Sequence, residues 1–289
     1  MHRIFTILIL ITGVLMLMSC TSQEENPFFS DYGTPFETPA FNQIEEEDFL
    51  PAIKKGIKQH KQEIEAIVNN SADPTFQNVI IPLEKSGQLL DRANSVLGNL
   101  NSAHTNDKIQ EIKKKTTPML SKHYDEIMLN DKLFKKIKTV YKNRDDFDLG
   151  QEDKKVLEEY YEDFVRNGAN LSPAEKERLK EINEKLSSMM LEFGQNVLKE
   201  TNKFKMVIKE KENLAGLPRG VIDAAAEAAQ DKDIKDAWVF TIHKPSMIPF
   251  LKFSEKRDLR KKIFKAYINK GNHNDELDNK ELIKEMVDL

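Results

Sequence analysis

The side chains able to do chemistry in this sequence are few and scattered. Its histidines are His2, His60, His104, His123, His243 and His273, and its single cysteine is Cys20. Two histidines one helical turn apart can share a zinc ion, and a glutamate between them can polarise an attacking water. No histidine here is followed by glutamate, and the closest-spaced pair, His104 and His123, is too far apart to ligate one ion from a single helix turn. A lone cysteine makes no internal disulfide, no Cys-x-x-Cys pair and no zinc ribbon. No catalytic, cofactor-binding or metal-ligating residue is therefore assigned. The acidic run Glu45-Glu46-Glu47-Asp48 could hold calcium, but helix starts favour acidic residues and it is read as one. His104, between Ala103 and Thr105, is read as capping a turn rather than contacting a substrate.

The use of Cys20 follows from its position. Met1-His2-Arg3 makes a short positive start, and Ile4 to Met18 is an apolar run interrupted only by Thr6, Thr12 and Gly13. That run falls short of the ~20 apolar residues that span a bilayer and fits the core of an export signal instead. Leu17-Met18-Ser19-Cys20 resembles the bacterial lipobox, which implies that Cys20 is lipidated and becomes the mature N-terminus. Residues 1–19 are thus expected to be a lipoprotein signal peptide. The protein would sit in the cell envelope, lipid-anchored to a bacterial membrane and facing the periplasm or the outside. Stable anchoring takes more than one acyl chain. Losing the signal removes one of 44 basic residues against 48 acidic ones, a mature charge of −5 with histidine neutral. Such mild acidity carries no electrostatic footprint for nucleic acid.

Elements that could position a site come next. Residues 20–41, rich in Ser, Thr, Pro and Gly, read as a tether and an extended lead-in. Helical spacing then dominates, so the fold class is mainly α with a few short β-strands. Ile53, Ile57, Ile64 and Ile67 share one face of a helix beginning near Asp48, with Pro51 in its first turn. A stripe from Phe76 to Leu97 is expected to have a boundary or kink at Pro82, and a helix opened by Asn106-Asp107 to kink at Pro118. Ser172-Pro173-Ala174-Glu175 combines an N-cap serine, a proline in the first turn and a capping-box glutamate. The helix it opens carries Leu179, Ile182, Leu186, Met189, Met190, Phe193 and Val197, with the methionine pair read as core. Phe204 to Ile208 and Trp238 to Ile242 read as strands, flanking an alanine-rich helix. Ser254 is expected to cap a basic helix through Ile268, whose run Lys256 to Lys265 is a solvated face.

Several stretches resemble one family. "NLNSAHTND" (99–107), "DFVRNGANLS" (163–172), "LKEINEKLSSMMLEFGQNVLKETNKF" (179–204), "LAGLP" (214–218), "WVFTIHKPSMIPFL" (238–251) and "AYINKGNHNDELDNKELI" (266–283) are similar to bacterial peptidyl-dipeptidases (dipeptidyl carboxypeptidases). These are grouped with thimet oligopeptidase and neurolysin among the zinc metallopeptidases. The resemblance runs in order from about Asn26 to Leu289. It implies a two-lobed helical protein with a channel between the lobes, acting as a monomer on short peptides and releasing C-terminal dipeptides. It also implies zinc held by a His-Glu-x-x-His helix and a downstream glutamate, none of which this chain contains. Residues 42–289 would form a helical N-terminal lobe that breaks off before the catalytic region, so the chain alone is expected to bind no zinc and to be inactive. In that setting His243 could line the channel, but it is read as a satisfied structural histidine. Leu282, Ile283, Met286, Val287 and Leu289 form an apolar helical face running into the last residue, which reads as an interrupted helix. The alternative is a non-catalytic helical lipoprotein that binds peptides or proteins.

Overall fold

The structure, a computed structural model, describes residues 26–289. The signal peptide expected over 1–19, the lipidation site Cys20 and the first residues of the tether lie outside that range. The chain is mainly helical and divides into two compact units. One comprises the residues up to Thr116 with His123–Asn170, the other Thr117–Lys122 with Leu171–Leu289.

The first unit begins with α1 (Glu46–Asn69). It starts two residues before Asp48, because the Asp48 carboxylate reaches back to accept from the Glu45 backbone N–H at 2.8 Å. Pro51 consequently lies beyond the first turn, and the helix continues through it. After a π-helical turn (Phe76–Ile80) and the short α2 (Ile81–Glu84), α3 spans Gln88–Ala103. Pro82 marks the boundary between the π-helical turn and α2 rather than a kink within one helix. It sits in the first turn of α2, where its missing N–H costs nothing, and the chain turns at Gly87, whose φ of +77° suits glycine. In α4 (Asp107–Met128), opened by the Asn106 side chain accepting from Ile109 N–H, Pro118 is accommodated without ending the helix. Then come α5 (Asp131–Lys142) and α6 (Gln151–Arg166). Ile64, Phe76, Ile80, Leu133, Ile137, Leu157 and Phe164 fill the core of this unit. Each such side chain contributes roughly 1.5–3 kcal/mol by leaving water.

In the second unit α7 (Pro173–Lys203) opens with the reciprocal bonds of the expected capping box: Ser172 N–H to Glu175 Oε2 at 2.8 Å, and Glu175 N–H to Ser172 Oγ at 3.4 Å. Much of this helix meets solvent. Met189 is buried, but Met190 is 66% exposed, which corrects the reading of both as core. Adjacent helical residues point about 100° apart, so a helix covered on one side can bury only one of them. The strands β1 (Met206–Ile208) and β2 (Trp238–Phe240) pair antiparallel, Met206 opposite Phe240. Between them lies α8 (Arg219–Gln230). Next comes α9 (Lys244–Phe253), a helix the apolar spacing did not announce but Pro245 in its first turn could have. Ser254 ends α9 rather than opening α10 (Arg257–Ile268), although its hydroxyl accepts from Lys256 N–H at 3.2 Å. The last helix is α11 (Lys280–Asp288). Met206, Ile208, Phe240, Phe250 and Ile263 form the core, with the two phenylalanine rings 4.6 Å apart.

Candidate functional site

Within the first unit the fold brings His60 of α1 to His123 of α4, residues far apart in sequence. Both lie on the apolar stripes of their helices, His60 between Ile53 and Ile64 and His123 between Leu120 and Ile127. The close approach of α1 to α3 depends on Gly56, where a Cβ would stand 2.8 Å from the Leu90 Cα. Gly87, at the start of α3, similarly leaves room for the His60 ring.

The hydrogen bonds around the pair have one consistent direction. Ser86 donates its hydroxyl proton to the Leu83 carbonyl at 2.6 Å. His60 Nε2 therefore donates to Ser86 Oγ at 3.1 Å, which leaves His60 Nδ1 to accept from His123 Nε2–H at 3.0 Å. This assigns the tautomers from the network, and it leaves His123 Nδ1 a buried lone pair with no partner. His123 is 1% exposed. Burial, then the neighbouring His60 and Lys61, push its pKa down to about 4 despite the opposing Glu126. Burial also lowers that of His60, against Glu63 and Asp91. Both rings are thus neutral near pH 7. Ser86 is not an activated nucleophile, since its proton points away from the histidine that would have to take it.

A second arrangement joins α7 to the loop before α11. The Glu200 carboxylate accepts from the Gly271 N–H at 2.5 Å and from His273 Nε2 at 2.6 Å. One turn earlier Asn196 donates to Asn279 Oδ1 at 2.9 Å, and Asn279 Nδ2 donates to the Phe193 carbonyl at 3.3 Å. Gly271, at φ +71°, is the only residue type that fits there, because a Cβ would meet Asn279 Nδ2 at 2.9 Å. The geometry is a clamp that holds residues 271–279 to the helix.

The remaining histidines and the acidic run are placed as structural groups. His104 occupies the C-cap of α3, its N–H donating to the Leu100 carbonyl at 2.8 Å. His243 is exposed and bonded on both nitrogens, to Thr241 and Asn202. Glu45 to Asp48 form the start of α1. Tyr160 donates to Glu84 at 2.6 Å, and burial followed by that carboxylate raises its phenol above the ordinary range. Among the described residues, no group of three or more His, Cys, Asp or Glu side chains is arranged to hold a metal ion.

No protein-family profile matches the chain. Individual relatives do. The sequence is 32% identical over 264 residues to the dipeptidyl carboxypeptidase of Escherichia coli strain K12, a stretch covering 91% of this chain and 39% of that protein. It is 30% identical to the dipeptidyl carboxypeptidase of Salmonella typhimurium with the same coverage of each. To the oligopeptidase A of Haemophilus influenzae it is 29% identical, covering 91% of this chain and 38% of that protein. Over the stretch it shares with them, the chain is similar to dipeptidyl carboxypeptidases and oligopeptidases A. It spans less than two fifths of the length of these curated relatives. The zinc implied by this thimet-type peptidase group does not fit the residues described here, and no catalytic step is derived from them. What the sequence reading missed was the His60–His123 pair. Its available signal was a histidine within an apolar stripe on each of two helices.

Proposed function

We propose that this chain is the N-terminal, helical portion of a zinc peptidyl-dipeptidase that acts on short peptides and releases dipeptides from their C-termini. The observation that carries the reading is the co-linear match over 91% of the chain to proteins named dipeptidyl carboxypeptidase. On this reading the zinc and its ligands belong to polypeptide outside residues 1–289, and this portion alone is inactive. The lipobox-like Leu17-Met18-Ser19-Cys20 supports an anchored, envelope-facing enzyme, because the single cysteine stands where a lipoprotein signal would be cleaved. Such an enzyme would trim peptides at the membrane as a monomer.

The test is to purify the complete product of the gene and incubate it with short peptides, following the released fragments by mass spectrometry. C-terminal dipeptides that disappear on chelation are the expected outcome. Binding without cleavage would favour the non-catalytic lipoprotein instead. Zinc-dependent dipeptide release by purified residues 20–289 would overturn the assignment of the chemistry to another part of the protein.

A further inference from the structure

The first unit carries a polar cleft of about 400 Å³ that no part of the peptidase reading uses. Its floor is made by two helical pairs at one-turn spacing, Lys55 and Gln59 from α1 and Gln88 and Arg92 from α3. These pairs face one another because Gly56 lets the two helices approach almost backbone to backbone. Residues 29–37 supply the wall, with the acidic side chains Asp31 and Glu37.

The two cations of this cleft are held in place. Lys55 Nζ stands 3.6 Å from the centre of the Phe29 ring, which fixes the ammonium without neutralising it. Arg92 donates to the Phe28 carbonyl at 2.6 Å and lies 3.7 Å from Asp31. Glu37 sits in a strained loop. Phe36 and Glu37 are successive non-glycine residues with φ of +58° and +53°, a conformation disfavoured by roughly 1–2 kcal/mol per residue. The loop is closed over that strain by Glu37 N–H to Thr34 O, Thr38 N–H to Pro35 O and the Thr34 and Thr38 hydroxyls. Phe36 is left 99% exposed, so the conformation is not maintained by burying its ring. Strained residues that the surrounding bonds over-determine are typical of ligand clamps.

Two cations and two anions in one small cleft give no net charge, which argues against a simple anion: a phosphate would meet Asp31 and Glu37 as well as the cations. Arg92 and Asp31 are paired only loosely, at 3.7 Å, and Lys55 and Glu37 form no ion pair with each other, so groups of both signs remain for a molecule that carries both. We propose that this cleft binds a small α-amino zwitterion, a free amino acid or a dipeptide, with its carboxylate on Arg92 and Lys55 and its ammonium on Glu37 and Asp31. Gln59 and Gln88 offer amide groups to the peptide unit between them. The proposal does not depend on the peptidase reading, because it concerns binding by residues described here.

The experiment is isothermal titration of the full chain with glycylglycine, alongside acetylglycine, which lacks the ammonium, and glycinamide, which lacks the carboxylate. Saturable binding of glycylglycine is expected, with about tenfold or greater weakening for each single-charge analogue, the scale of one charge-assisted hydrogen bond. Glu37→Gln, at an exposed position that cannot unfold the core, should weaken glycylglycine about tenfold and leave acetylglycine unchanged. Lys55→Met, which keeps the stem on Phe29, should weaken both. Absence of saturable binding, or acetylglycine binding as tightly as glycylglycine, overturns the proposal, the latter in favour of a plain anion site. Equal binding by both variants and the parent protein overturns it as well.

Discussion

The His60–His123 pair makes a specific prediction about acid stability. The folded-state pKa of His123 is near 4, whereas an unfolded histidine titrates near 6.5. Because the folded value is the lower one, the unfolded chain takes up the proton first as pH falls. The stabilisation is present above about pH 6.5 and is lost progressively towards pH 4. With these two values the loss between pH 7 and pH 5 is ~2 kcal/mol, and His60, also lowered, acts in the same direction. Carboxylates contribute to acid unfolding too, so the comparison must be made against His123→Phe, which keeps a ring in the space but cannot take a proton. Urea unfolding at pH 7 and pH 5, followed by circular dichroism, measures both proteins. Fluorescence of Trp238, the only tryptophan, reports the second unit and cannot replace it. The parent should lose about 2 kcal/mol more than the variant over this interval. Equal losses would show that His123 is not held neutral by burial, and the network of donors and acceptors drawn around it would then be wrong.

Other perturbations test the packing and the anchor. Gly56→Ala should cost about 1–3 kcal/mol from forcing α1 away from α3, offset by the ~1 kcal/mol helical advantage of alanine, and a denaturation midpoint clearly above that of the parent would refute the close approach. Asn279→Ala removes a side chain that is 1% exposed and leaves the Asn196 amide without its acceptor, so a loss of roughly 1–3 kcal/mol is expected in an unfolding curve read at Trp238. Leu133→Ala, deleting a fully buried side chain of the first core, should cost ~2–5 kcal/mol by the same measurement made with circular dichroism. Cys20→Ser should move the protein from the membrane fraction to the soluble one on fractionation of expressing cells. Unchanged partitioning would remove the lipid anchor from the proposed function.

Local signals in the chain were legible where the physics is local. The Ser172-Pro173-Ala174-Glu175 box opens α7 because its bonds close within one turn, and Asn106 caps α4 for the same reason. Both β-strands were visible as β-branched and aromatic runs, but their antiparallel register was not, since pairing joins residues thirty or more positions apart. Proline was the least reliable marker. Pro51 and Pro118 are carried inside helices, Pro82 lies in a first turn, and Pro245 opens the helix that was missed. Which methionine of the Met189-Met190 pair is buried depended on how much of α7 is covered, which no spacing rule states.

The sequence by itself determined the mainly helical class, the helix starts and the kinship with the dipeptidyl carboxypeptidases, because capping, periodicity and residue-by-residue similarity are all properties of the linear chain. Only the tertiary structure decided that His60 meets His123, that Glu200 and Asn279 clamp a loop, and that Lys55, Arg92, Asp31 and Glu37 surround one cleft. Each of these joins residues distant in the chain, and their approach is set by packing between helices. Gly56 shows why: its role lies in the missing Cβ, and that absence has meaning only once the backbone of α3 lies against it.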